Sequence, residues 1–211
     1  ITFAMCYAFS ENFILPLSHD EVVHLKGALI NKVFGDYEHK FAGLKTLLGF
    51  MFSHPGKKLT FMGTELAQWN EWSEDKELDW MLLNYPMHIG YHDFVKKLNK
   101  TYKKYKPLYE IEKSWSGFTW RVVDDKSNSV LAYERKDKKG NVVLAVSNFS
   151  NFDYRNYEFS ATRGEYDLIL NSDEAIYGGR GVEIPKKIDV ADSVSLSIPA
   201  NSVLYYYCKK K

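Results

Sequence analysis

The chain has 211 residues, enough for one large domain or two ordinary ones. Hydrophobic and charged contents of 45% and 26% fit a water-soluble globular protein, and 28 basic against 27 acidic residues leave a net charge of +1. That balance gives no electrostatic reason to expect nucleic acid or an anionic membrane as a partner, and no apolar run nears the roughly 20 residues of a membrane span. Cys6 and Cys208 stand near opposite ends without a CxxC or framework spacing, which points to a reducing, cytoplasmic setting. Aromatic content is high at 16%, and such side chains either fill cores or stack on flat ligands such as sugar rings and bases. The first residue is Ile, with an apolar stretch beginning at once, so the chain is expected to be a piece of a longer protein.

In chain order, 13–18 (FILPLS) reads as a short buried strand, although Pro16 fits poorly in a central one. Ser18 and Glu21 have the spacing of a capping box, so a turn or helix start should follow. A helix is predicted over 37–53, where Phe41, Leu44, Leu48 and Met51 share one face, and His54-Pro55-Gly56 ends it. A compact strand is predicted at 58–62 (KLTFM), then an irregular, Trp-rich and acidic stretch from Thr64 to Trp80. A second amphipathic helix should cover about 87–106, with Tyr91, Phe94, Leu98, Tyr102 and Tyr105 inward. Its lysines form a solvated face, and Pro107 stops it.

From about 115 the pattern changes to seven short β-rich runs: 118–124, 129–135, 141–149, 154–159, 165–170, 193–198 and 202–208. Polar turns separate them, and the set predicts a β-sandwich. The chain therefore divides into an α/β part, 1–113, and an all-β part, 114–211. Two βα units cannot cover both faces of their own parallel sheet. They fit best as the last two units of a (β/α)₈, TIM-type barrel that is incomplete here.

Three readings compete for the stretch SHDEVVH (18–24). In the first, Ser18 and Glu21 cap a turn, and His19 and Asp20 are polar loop residues. The second is a metal site. His19 and His24, five apart, miss the zinc HExxH spacing, while Glu21-Val22-Val23-His24 matches the Glu-x-x-His of di-iron bundles, loosely echoed by Asp36-Tyr37-Glu38-His39. Such a site needs four long helices and only two are predicted, so no metal is expected. The third reading puts His19 and Asp20 at the C-terminal end of a barrel strand. A carboxylate and an imidazole there suit glycosyl transfer, whose oxocarbenium-like transition state gains from nearby negative charge and from hydrogen bonds to ring hydroxyls. Spacing alone does not decide among them.

Read together, FILPLSHDEVVH (13–24), GDYEHKFAGLKTLLGFMFSHPGKKLTFMGTELAQWNEW (35–72) and LDWMLL (78–83) resemble bacterial 1,4-alpha-glucan (glycogen) branching enzymes of the alpha-amylase family. GFTWRVVDD (117–125) and VVLAVSNFS (142–150) are similar to their C-terminal β-sandwich. The resemblance implies a barrel whose seventh strand ends at Leu17-Ser18-His19-Asp20. It implies Asp20 as a catalytic carboxylate that stabilises the transition state without being nucleophile or acid, and His19 as a donor to the sugar in the same subsite. Glu21, Trp69 and Trp72 would touch substrate, with a lid or core role open for the tryptophans, and His24 and Glu65 would lie at the pocket rim, Glu65 more as a structural hydrogen-bonder. The family's Gly-Phe-Arg-x-Asp nucleophile and its Glu acid/base have no counterpart here. Gly117-Phe118 begins like the former, but Arg121 and Asp124 fall at the wrong offsets. The implied parent moves α-1,4-glucan segments to 6-hydroxyls by a retaining mechanism, with α-glucan as partner and no cofactor. The piece itself would be inactive and would self-associate through its exposed barrel part. A debranching or trehalose-forming relative and a carbohydrate-binding module are the competing expectations.

Overall fold

The structure, a computed structural model, describes residues 2–210. Strand β1 (Ile14–Leu17) lies parallel to β2 (Lys57–Thr60), in register from Ile14 opposite Lys57 to Leu17 opposite Thr60. Helix α1 (Tyr37–Ser53) joins them, spanning the residues its apolar period predicts, with Phe41, Leu44, Leu48 and Met51 all buried. Asp36 caps it: Oδ1 accepts the His39 backbone N–H at 3.0 Å and stands 2.6 Å from the ring Nδ1. The Asp-x-x-His echo is thus a helix start. Helix α2 (Pro86–Lys104) opens on a proline at its first turn, where no N–H is needed, and buries Tyr91, Phe94 and Leu98.

The expected buried strand at 13–18 is half-exposed instead, with Ile14 54% accessible. The reason is its neighbourhood: among the described residues β1 and β2 pair only with each other, so both outer edges are open. Pro16, which cannot donate to a ladder, is tolerated on a strand with one neighbour. No barrel closes within these residues.

The second part has eight strands: β3 (Phe118–Asp125), β4 (Val130–Lys136), β5 (Val142–Asn148), β6 (Tyr154–Ser160), β7 (Gly164–Asn171), β8 (Lys187–Val190), β9 (Ser193–Ile198) and β10 (Ser202–Cys208). A mainly antiparallel sandwich results, with a six-stranded sheet in the order β3-β4-β5-β10-β7-β8 and a two-stranded sheet of β6 and β9. β8 is missing from the sequence reading because KIDV alternates charge with apolar residues over only four positions at a sheet edge.

The six-stranded sheet is covered on both faces. Along β10, Val203 and Tyr205 join the core made with α1 and α2, while Leu204, Tyr206 and Cys208 face the β6–β9 sheet. β5 divides likewise, Val143 and Ala145 against Val142, Leu144 and Val146. Burial on both sides explains why VVLAV and VLYYY read as continuous apolar runs, although an antiparallel sheet ordinarily keeps one face wet. Helix α1 and β10 meet tightly at Gly49, where a Cβ would stand 2.2 Å from Val203 Cγ1. Next to it Tyr205 donates its hydroxyl to the Gly49 carbonyl.

Charged groups reinforce this junction. Arg135 of β4 is fully buried and donates to the carbonyls of Ser53 (2.7 Å), Ile111 (3.2 Å) and Gly117 (3.2 Å), tying α1, the linker and the turn that leads into β3 together. Burial pulls its guanidinium down to about 10. Lys45, buried on α1, donates to the Tyr177 carbonyl at 2.8 Å; burial lowers it to about 8, with Asp173 opposing.

Candidate functional site

Leu17 ends β1, and Ser18 breaks the strand with an extended backbone that starts one 3-10 turn, His19–Glu21. Both halves of the capping box are present. Glu21 Oε2 accepts the Ser18 backbone N–H at 2.9 Å, and Ser18 Oγ accepts from the backbone of the turn, the Asp20 N–H at 3.3 Å included, while the hydroxyl also donates to Glu21 Oε2 at 3.1 Å. Glu21 is therefore turned back on its own cap. Among the described residues no group of three or more His, Cys, Asp and Glu stands together as metal ligands would.

The cap leaves His19 and Asp20 side by side and outward. His19 Nε2 stands 3.3 Å from Asp20 Oδ1, with side chains 57% and 67% accessible. Phe61, just past β2, places its ring 6.0 Å from the imidazole, and Trp72 packs edge-on against Phe61 at 5.1 Å. The Trp72 backbone N–H donates to the Val22 carbonyl at 3.0 Å, joining the two loops. The structure thus brings His19, Asp20 and Trp72 to one end of the parallel pair.

Trp69 is elsewhere. It stacks on Tyr37 at 5.9 Å, meets Phe41, and its Nε1–H donates to His88 Nε2 at 3.2 Å. Of the two roles the sequence left open for it, this contact set is that of packing between the first turns of α1 and α2. His24 is exposed, with φ of +57°, and Leu25 follows at +66°. Glu65 is half-buried on the one-turn helix Thr64–Leu66.

That turn is held in a way the sequence reading missed. Tyr91 Oη donates to the Thr64 carbonyl at 2.9 Å, His92 Nδ1 lies 3.1 Å from that of Glu65, and His88 Nδ1 lies 2.7 Å from that of Leu66. Three successive carbonyls thus meet one face of α2. Trp69 donating to His88 Nε2 leaves Nδ1 as the proton-bearing nitrogen. His and Tyr at 88, 91 and 92, on the otherwise apolar side of an amphipathic helix, were the available signal. Glu71 was missed too. Its Oε1 accepts the Leu25 N–H at 2.7 Å and its Oε2 the Gly27 N–H at 3.1 Å.

Chemically, the exposed pair offers one carboxylate and one imidazole on a common edge, able to accept from and donate to vicinal hydroxyls. A retaining glycosyl transfer needs two further carboxyl groups about 5 Å apart. Among the described residues, Glu21 next to the pair and Glu71 on the loop beyond it are each engaged by backbone N–H groups.

Comparison with known proteins adds to this geometry. Residues 120–209 match the profile of the alpha amylase C-terminal all-beta domain. Over its whole length the chain is 44% identical to the 1,4-alpha-glucan branching enzyme GlgB of Photobacterium profundum, covering 31% of that protein. It is 45% identical to that of Aquifex aeolicus, over 97% of the chain and 34% of the relative. With the enzyme of Bacillus caldolyticus the identity is 48% over 86% of the chain and 28% of the relative. The chain spans about a third of the length of the curated relatives it matches.

Proposed function

We propose that this chain, which belongs to the 1,4-alpha-glucan branching enzyme family and corresponds to its C-terminal portion, carries part of the active site of a parent that transfers α-1,4-glucan segments onto 6-hydroxyls. The observation that carries the proposal is the His19–Asp20 pair, held outward by an intact capping box at the C-terminal end of a parallel strand. Parallel strands joined through a helix place their reactive groups at this end. On this reading, residues 1–113 are the end of a (β/α)₈ barrel, and 114–211 are its C-terminal sandwich.

The chemistry follows from charge. As the glycosidic bond breaks, positive charge grows on the sugar ring, and a nearby carboxylate stabilises that state more than the ground state. Asp20 supplies the charge and accepts from ring hydroxyls. His19, 3.3 Å away, donates to an adjacent hydroxyl. Nucleophile and acid/base lie in the rest of the parent, so the isolated chain is inactive. Glu21 shapes the turn, His24 and Glu65 stand at the rim, Trp72 offers an aromatic edge, and no cofactor is required. The wide separation of Cys6 and Cys208 along the sequence, without a framework spacing, accords with a cytoplasmic setting.

The test uses the full-length parent on amylose. Branching lowers iodine staining without releasing reducing ends, whereas a debranching relative releases them. Asp20→Asn should reduce the rate by about 100-fold or more, the scale of losing one preorganised electrostatic contact. A variant as active as the parent sinks the assignment, as would branching above background by residues 1–211 alone.

A further inference from the structure

We propose that Glu71 is the positioning residue for the His19–Asp20 pair, a role that rests on the reading of Asp20 as a substrate-facing carboxylate. After the capped turn, the loop that follows Asp20 runs through an unusual backbone. His24, Leu25 and Gly27 have φ of +57°, +66° and +74°. Two successive side-chain-bearing residues in the left-handed region are unfavourable and persist only where surrounding contacts enforce them. No ladder or helix supplies those contacts at 24–27, since the loop lies between the turn at His19–Glu21 and the next turn at Leu29–Lys32.

The enforcing group comes from 44 to 46 residues downstream. The two carboxylate oxygens of Glu71 each take one backbone N–H, Leu25 at 2.7 Å and Gly27 at 3.1 Å. These are charge-assisted bonds, stronger than neutral ones. The residue between the two anchored amides is Lys26, and its ammonium reaches back to the Asp20 carbonyl at 2.7 Å. A continuous path therefore runs from the Glu71 carboxylate through the pinned 25–27 backbone and the Lys26 side chain to the main chain of Asp20. Two further bonds fix the base of that path, Trp72 N–H to the Val22 carbonyl at 3.0 Å and Asn31 Nδ2 to the Trp69 carbonyl at 2.9 Å. Glu71 itself does not approach the reacting atoms. It sets where the 20–27 backbone sits relative to the loop after β2.

Two measurements test this. In the 211-residue chain, amide exchange by NMR reports the mooring directly. Glu71→Ala should speed exchange at Leu25 and Gly27 by roughly tenfold or more while the α1 amides keep their protection, as expected of a local opening. In the full-length parent, Glu71→Ala should lower kcat by about 100-fold, the consequence of misplacing a reacting group by about an ångström, with little change in KM. Glu71→Gln keeps one carbonyl oxygen and should fall between, and Lys26→Met should lower kcat in the same direction. Should Glu71→Ala not fold, Glu71→Gln and Lys26→Met decide. Folded variants with unaltered kcat overturn the role, as does a loss confined to KM. Asp20→Asn is the control that separates the two readings: inactive Asp20→Asn with fully active Glu71 variants refutes positioning alone, and active Asp20→Asn refutes both.

Discussion

His54 ends α1 inside the junction between helices and sheet, 3% accessible, with its ring Nδ1 3.0 Å from the Pro55 carbonyl. Burial is the main cause that pulls its imidazole down to about 4, aided by the nearby cations Lys58 and Arg135. The unfolded chain takes up this proton near 6.5, the folded chain only near 4, so acid favours unfolding between those values. Stability from this group is fully present above about pH 6.5 and falls by on the order of 3 kcal/mol as the pH approaches 4. Denaturant melts across about pH 4–7 should show that slope, and His54→Asn should flatten it; an equal slope in both proteins would remove His54 as its source. At the same scale, legibility depended on distance along the chain. Ser18, Glu21, His19 and Asp20 lie within four positions, so their capping spacing and adjacency are printed in the sequence. Glu71 meets its partners across 44 to 46 residues, and nothing local in QWNEW marks it.

Among the elements, α1 was legible to the residue because one apolar face and a Pro-Gly stop agree, whereas its capping aspartate, Asp36, was read only as part of a metal echo. Its weak amphipathic contrast has a cause that lies outside the helix: Lys45, Thr46, Gly49 and Ser53 are buried as well as the apolar face, because sheet and helices surround it. The sandwich strands were found from turn signals, and β8 was lost at its charged edge. What period alone does not convey is that β4, β5 and β10 are walls shared by two cores. Gly49 is the sharpest expression of this. Gly49→Ala would press a methyl group against Val203 and should destabilise the chain by about 1–3 kcal/mol, the range for overpacking. Combining it with Val203→Ala should recover most of the loss in a double-mutant cycle; purely additive effects would show that the contact is not the cause.

For the whole molecule, surface and architecture have to be taken together. Among the described residues β1 and β2 have open edges, and Phe3, Tyr7, Ile14, Leu59 and Met62 are exposed around them at 74%, 44%, 54%, 39% and 52%. Unpaired strands with apolar surroundings template association. Light scattering on residues 1–211 should therefore report a dimer or larger species, and charged substitutions at Ile14 and Met62 should shift it toward monomer; a clean monomer at high concentration would contradict this. The division near residue 113 that composition suggests is a change of secondary structure. The sandwich keeps its interior core between the two sheets, yet its other face is completed by α1 and α2.

That shared wall has a consequence for how the chain yields to a protease. The linker after α2 looks like the natural place to cut, but Pro107 and Leu108 are buried, the Ile111 carbonyl is held by Arg135, and a side chain at Gly117 would collide with Ile111. Proteolytic nicking favours exposed loop tips whose backbone can come free, and this linker is fastened from both sides. The exposed run Glu74–Glu77 offers no such resistance. Digestion should nick the Trp-rich loop first and leave the helical layer still attached to the sheet it covers.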